Sequence, residues 1–434
     1  MCAKSSFLFF IVLVLFPFLP SSVPAEETPE ESIRLEQIDP ADNLTIKLVT
    51  VGPADEIYSW WGHTAFIVED ENTGWSRLYD YGQFTFEAEN FVRNFVFGRL
   101  WFSVGRAPSR LVLNFWESEI RDIRIQRLNL SPQKELELSM KLEEDLLPEN
   151  RTYLYHHYWD NCATRVRDIL DDAVGGQFEE SFDERSAYTL RELTRRYTYF
   201  HPLMDRVLMF LLGREVDLPI REYDEMFLPL RLEEHVSDFT YVNEKGETVP
   251  LVGETSVYST APRRKPVLIH PPDPIGYLIV LGILLGGLGF FLLRFRTKRK
   301  KSLAAGYAVF SSLISFSFGL LGSVLFFMAF FTDHTIAYSN ENLFFINPLL
   351  LLVFPFCLRP RSKRGIGILV QGVVYSLLTA AILIQLLLKI TPYFFQQNWG
   401  FIALLLPVYG VFGPLNMVYN ISKWVKRSSS STMK

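Results

Sequence analysis

Cys162, His63 and the residues around them are where chemistry is to be sought in this chain. Asn161-Cys162 precedes Val166, Ile169, Leu170 and Ala173 at helical spacing, and Gly175-Gly176 follows. A helix is therefore expected to start at the cysteine, capped by Asn161, and to stop at the glycine pair. A thiol at the first helical position sits against the positive end of the helix dipole, which favours the thiolate, the form that attacks acyl carbon. Such a nucleophile wants a base, and the chain has seven histidines. His270 and His334 fall in a linker and in a loop between apolar stretches, His201 precedes a proline, His235 follows two glutamates, and His156 and His157 lie on the approach to the cysteine. His63 differs, because Trp60-Trp61-Gly62-His63-Thr64 places it at the entry to a strand, just after a glycine. A strand-entry histidine facing a helix-start cysteine is the arrangement of cysteine hydrolases and acyltransferases. The other reading of the same residues is an inert buried cysteine and a surface histidine, and the residues alone leave both open.

The elements that must position this pair are legible upstream and downstream of it. Thr45–Val51, Thr64–Val68, Arg77–Tyr81, Leu100–Val104 and Ile120–Leu128 read as strands, and Ser131-Pro132 opens a helix that runs to Leu147-Pro148. Strands come first and helices after, so the class is α+β. The stretch Ser186–Phe239 reads as helical and irregular, and Thr260–Pro274 as a stiff proline-rich linker.

Charge divides the chain at Pro274. Before it stand 28 Lys+Arg against 46 Asp+Glu, a net of −18; from it onward stand 15 bases and only Asp333 and Glu341, a net of +13. The acidic part would repel phosphate, and the basic clusters only flank apolar runs, which excludes nucleic acid as a partner. Met1–Ala25 has the form of a secretory leader, with Lys4, an apolar stretch and small residues before acids. Residues 26–261 then form an exported domain, 262–274 the linker, and 275–434 a membrane domain with spans at about 275–293, 303–331, 343–358, 366–388 and 401–421. Bases cluster at 294–301, at Arg359, Arg361, Lys363 and Arg364, and at Lys423, Lys426 and Arg427, and are scarce in the alternate connections. The positive-inside rule puts the acidic domain outside the cytoplasm and the C-terminus inside. Cys2 leaves with the leader and Cys357 lies at the cytoplasmic end of a span, so Cys162 is expected as a free thiol in an oxidising compartment.

Tyr58-Ser-Trp-Trp-Gly-His-Thr-Ala-Phe, Tyr79-Asp-Tyr-Gly-Gln-Phe and Tyr155-His-His-Tyr-Trp-Asp-Asn-Cys-Ala-Thr-Arg-Val-Arg-Asp168, in that order, resemble the exported domain of the Lnb family of lipoprotein N-acyltransferases. The five-span tail is similar to that family's membrane part. The resemblance implies a circularly permuted papain-like fold, related to NlpC/P60 enzymes, in which the histidine precedes the cysteine. It implies Cys162 as nucleophile, His63 as general base and Asp80 as the residue that orients the imidazole, with Asn161 and the Cys162 N–H as an oxyanion hole. Trp60, Trp61 and Trp159 would line an acyl groove or pack a core, while Arg165, Arg167 and Asp168 read as structural ion pairs. The reaction implied moves the sn-2 acyl chain of a lipoprotein's S-diacylglyceryl cysteine, through a Cys162 thioester, to the α-amine of that cysteine. A thioester is already activated, so no metal or nucleotide cofactor is expected; the partner is a lipid-anchored lipoprotein or membrane lipid in the bacterial cytoplasmic membrane. Two alternatives stand beside this: a membrane-tethered NlpC/P60-like hydrolase (peptidoglycan peptidase, amidase or lipid thioesterase), and a non-catalytic membrane sensor. The connection Thr332–Asn342 is expected on the side of the exported domain; one reading makes it a solvated link between spans, and the other places its polar Asp333, His334, Asn340 and Asn342 to dock the substrate headgroup or to seat that domain.

Overall fold

Apolar residues on both sides of neighbouring strands make the centre of the exported domain a covered sheet. The computed structural model describes residues 43–85, 90–262, 267–295, 301–358 and 366–422. In chain order come β1 (Leu44–Val51), β2 (His63–Asp70), β3 (Ser76–Gln83), α1 (Phe91–Phe97), β4 (Trp101–Pro108), α2 (Ser109–Ser118), β5 (Ile123–Leu128), α3 (Pro132–Glu144), β6 (Thr152–Leu154) and α4 (Cys162–Ala173). Then follow α5 (Gln177–Ser181), α6 (Leu190–Thr198), α7 (Pro202–Leu211), α8 (Glu222–Glu225), α9 (Pro229–Asp238), a hairpin of β7 (Thr240–Val242) and β8 (Thr248–Pro250), and β9 (Val252–Ser259). The sheet order is β6-β4-β3-β2-β1-β5-β9, and every neighbouring pair is antiparallel.

One face of the sheet, with Leu48, Phe66, Val68 and Tyr79, packs under Ala163, Val166 and Leu170 of α4 and Leu138 and Leu142 of α3. The other face, with Val49, Val51, Ala65, Ile67 and Leu78, is covered by Leu113 and Trp116 of α2. Both faces are therefore dry, which is why Ala65-Phe-Ile-Val68 of β2 is an unbroken apolar run; each such fully buried side chain is worth about 1.5–3 kcal/mol. The sequence reading is borne out in class and in five strands and two helices. It missed α1, α2, the three-residue β6, and β9, which completes the sheet beyond β5.

Five helices long and apolar enough to cross a membrane follow the exported domain. They are built on α10 (Ile275–Phe295), α11 (Lys301–Phe331), α12 (Leu349–Leu358), α13 (Ile366–Leu388) and α14 (Trp399–Gly410), which continues through a π turn containing Pro414 to Ser422. The third is the shortest as an α-helix, since Asn347-Pro348 delays its start. The leader expected over 1–25 and the basic residues at 296–300, 359–364 and 423–427 lie outside the described residues.

The exported domain sits directly on the outer connections of this bundle. Asp333 N–H donates to Phe97 O at 2.8 Å, Gly213 N–H donates to Ile336 O at 2.7 Å, and Gln397 N–H donates to the Asp217 carboxylate at 3.1 Å. Gly98 and Gly213 are glycines for this reason. A side chain at Gly98, itself at φ +76°, would meet His334 N at 2.7 Å, and one at Gly213 would collide with Tyr338 O.

Candidate active site

The local sequence of α4 fixes where the thiol stands. Asn161 is extended, and its Oδ1 accepts from Ala163 N–H (2.8 Å) and Thr164 N–H (3.0 Å), while Thr164 Oγ1 accepts from Asn161 N–H at 2.8 Å. This capping box starts the helix at Cys162, whose own N–H, at the first position, is one of the donors a helix leaves free of intrahelical bonds. Cys162 is a free, partly buried thiol. The Asn161 amide is spent as well: Nδ2 donates to His157 O at 2.7 Å and to Phe227 O at 3.0 Å. The expectation that Asn161 supplies an oxyanion donor is therefore corrected. Both of its N–H bonds are used to hold the chain before the cysteine.

His63 is brought to the thiol by the first residue of β2. Gly62, at φ +84°, makes the turn, and a side chain there would meet Val51 O at 2.7 Å. Nε2 of His63 lies 2.8 Å from Asp80 Oδ1, which also accepts from Gly82 N–H at 2.7 Å across a bulge that ends the regular pairing of β3 with β4. A side chain at Gly82 would fall on the imidazole, so a glycine is what lets the ring lie against β3. The ring also meets Trp116 edge-on at 5.5 Å. Cys162 is near enough to the ring to favour its charged form, and with Nε2 bonded to Asp80, Nδ1 is the nitrogen that Asp80 does not engage. Burial works against the imidazolium, but the charges of Asp80 and then Cys162 outweigh it and lift His63 to about 10. Burial likewise opposes the Asp80 carboxylate, which the His63 charge and the His63 and Gly82 hydrogen bonds nevertheless hold below its ordinary range. The sequence-predicted Cys162, His63 and Asp80 are thus brought together, with an imidazole bonded to a carboxylate and able to accept, hold and return a proton beside a free thiol.

The tryptophans separate. Trp60 is buried against Phe200 (4.9 Å) and donates its N–H to Asp55 O at 3.0 Å, so it packs a loop rather than a groove. Trp61 meets His157 edge-on at 4.7 Å, within the cluster of Tyr158 and Phe227. Only Trp159 is exposed, at 52%, stacked beside His156. Arg165 pairs with Asp160 at 2.6 Å, and Arg167 pairs with Asp168 at 2.7 Å and lies over the Tyr223 ring. These ion pairs are structural, as expected.

Asp333, His334, Asn340 and Asn342 all bind the exported domain. Asp333 pairs with Arg99 at 2.5 Å, His334 Nε2 lies 3.1 Å from Phe95 O, and the amides of Asn340 and Asn342 donate to Phe210 O at 3.0 and 3.1 Å. Of the two roles expected for this loop, the contacts are those of seating the domain.

Several site residues were not anticipated. Burial first, and then the nearness of Cys162, raise the phenols of Tyr153 and Tyr155. Tyr155 stacks on Phe102 at 4.2 Å, and its hydroxyl lies 3.3 Å from Nδ1 of His157, which burial and His156 push down to about 3 and so keep neutral. The alternation Tyr153-Leu154-Tyr155 was the available signal, but a three-residue strand is too short to announce itself.

Residues 31–196 match the family model described as the Lnb N-terminal periplasmic domain, and residues 277–408 match the one described as the Lnb transmembrane domain. The chain belongs to the Lnb family. The first Lnb match contains Cys162, His63 and Asp80, and the second reaches from the first span into the last. The fold is the Lnb layout, an α/β sheet-rich domain followed by five apolar helices, in a multi-pass inner-membrane protein with a periplasmic N-terminal domain. No curated protein and no solved structure matches the chain.

Proposed function

We propose that this Lnb protein is a membrane-bound lipoprotein N-acyltransferase of permuted papain-like design, using Cys162 as nucleophile, His63 as base and acid, and Asp80 to orient the ring. The observation that carries this reading is the direction in which the site faces. β2 begins at His63, β3 ends beside Gly82, β4 begins at Trp101, and β6 ends at Leu154 opposite Trp101, so all lie at one end of the sheet. That end meets the outer rim of the bundle: His156, six residues before the thiol, has Nε2 2.9 Å from Thr335 Oγ1. A peptidase acting on a distant cell wall gains nothing from a site held against the bilayer, whereas a diacylglyceryl cysteine presents its ester and amine there.

In the first half-reaction the Cys162 thiolate attacks the sn-2 carbonyl, and the oxyanion forms near the Cys162 N–H at the positive end of α4. Collapse breaks the ester C–O bond, and the leaving alkoxide takes the proton from His63. In the second, the α-amine attacks the thioester, its proton passes to His63, and the C–S bond breaks to return the thiolate. Asp80 stays ionised throughout and keeps Nδ1 turned to sulfur.

The test uses the full chain in phospholipid vesicles with a diacylglyceryl lipopeptide. Acyl transfer within one lipopeptide leaves its mass unchanged while blocking the α-amine and freeing the sn-2 hydroxyl, both visible by fragmentation mass spectrometry. Cys162→Ala should abolish this. Loss of one acyl chain with the amine still free would replace the reading with a lipid hydrolase, and an unchanged lipopeptide would refute catalysis on this substrate.

A further inference from the structure

The helix α1, Phe91-Val-Arg-Asn-Phe-Val-Phe97, has no buried residue. Val92 and Arg93 are exposed and the other five residues are partly buried, so the helix lies at the surface of the domain, with its outer side toward either water or lipid. Its position says which. The Phe97 ring meets Phe327 at 5.9 Å, edge-on, and Phe327 is four residues, or about 6 Å of helix, from the end of the span at Phe331. The bond from Asp333 N–H to Phe97 O and that between His334 and Phe95 O fix the helix at this depth. Its neighbours on the open side are exposed and aromatic, with Phe330 at 65% and Phe331 at 60%.

We propose that α1 lies in the outer leaflet as an interfacial helix, and that Val92 on it, with Trp101 and Leu154, forms the threshold across which an acyl chain of a bilayer lipid passes to Cys162. The second half rests on the transacylase reading above. α1 leads through Gly98 to β4, whose first residue Trp101 (55% exposed) pairs across the strands with Leu154 (43% exposed) at the open edge of the sheet. Leu154 adjoins Tyr155, which stacks on Phe102 and flanks the thiol. Exposed apolar side chains thus stand both on α1 and at the end of the sheet where β2 begins with His63, and a short helix with aromatic residues is suited to the boundary between acyl chains and headgroups.

The experiment places a nitroxide at Val92→Cys in the full chain carrying Cys162→Ser and Cys357→Ser, in phosphatidylglycerol-containing vesicles, with Asp172→Cys as the aqueous reference. The ratio of collisions with oxygen to collisions with a nickel chelate should be several-fold higher at Val92 than at Asp172. Equal ratios would overturn the interfacial helix without touching the chemistry. In the otherwise unaltered chain, Val92→Asp should slow turnover of vesicle-embedded lipopeptide about tenfold, while alkylation of Cys162 proceeds at the parent rate. Parent-rate turnover in Val92→Asp would overturn the threshold. A parent protein that leaves the lipopeptide unchanged would instead sink the transacylase reading, and with it the threshold, while the depth measurement still decides the helix.

Discussion

The imidazole of His63 is held between two opposing effects, burial and the charge of Asp80, and the second prevails. Its folded pKa of about 10 stands above the 6.5 of an unperturbed histidine, so the stabilisation from its pairing is complete below about pH 6.5 and is lost as pH rises through about 10. Asp80 is depressed from 3.8, so its share is present above that value and lost as pH falls through the lowered one. The two overlap in mildly acidic solution. Asp80→Asn removes the charge and leaves burial in command, so His63 should titrate below 6.5 and turnover should fall about 10²-fold, both readable by histidine NMR and the lipopeptide assay. A His63 that still titrates near 10 in that variant would remove Asp80 from its role. Cys162 and His63 stood out because a helix cap and a glycine before a strand each sit within a few residues of them, whereas Asp80 entered only through the family resemblance. The misassignment of Asn161 has a long-range cause. Its amide donates to Phe227 O, from a residue 66 positions away, and no local spacing reveals that acceptor.

Elements with a strong period were found from sequence, and those whose residues answer to distant partners were not. β5 alternates and was legible. β9, with Glu254, Thr255 and Ser256 mostly exposed, is a strand only because β5 offers it an edge, and α1, only seven residues long, is too short to show a helical period. The expected connection Thr332–Asn342 proved to be a docking element. There Gly213 is the tightest approach, its N–H bonded to Ile336 O and its α-carbon facing Tyr338 O. Gly213→Val should force this contact apart at a cost of about 1–3 kcal/mol. Amide exchange at Asp333 and Gly213 should then accelerate about 30-fold, the equivalent of ~2 kcal/mol of local opening, with exchange in α4 unchanged. Slow exchange at both amides in that variant would show the loop to be held by something other than this fit.

At the scale of the whole molecule the two domains are joined by buried polar groups, which limits how far they can separate. Glu341 and Lys389 pair at 3.2 Å with both side chains almost wholly buried, and Gln396 binds Glu341 through its backbone N–H and Leu212 O of the exported domain through its amide. Opening this junction would unpair the Asn340, Asn342 and Gln396 amides from Phe210 O and Leu212 O and expose the Glu341–Lys389 pair beneath them, at about 1–3 kcal/mol for each polar group left unsatisfied. The sequence pattern foresaw that two connections face outward, but not that they carry this buried network, since a lone Glu and Lys 48 residues apart have no local signature. The same contacts fix the parity of the bundle. The connection after α11 and the one after α13 both touch the exported domain, through Asp333 and through Gln397 and Tyr393 O, the latter bonded to Arg214 at 2.9 Å. With the domain periplasmic and all five apolar helices crossing the bilayer, the expectation is that the ends of α10 and α12 that lead away from it face the cytoplasm and that the fifth helix, leaving the outer side at Trp399, carries Ser422 to that face. A reporter that is active only in the periplasm should be silent when fused after Lys434 and active when inserted in the exposed turn at Lys245 and Gly246. Activity after Lys434 would require an even number of crossings, so one of the five apolar helices would have to lie on the membrane instead of through it.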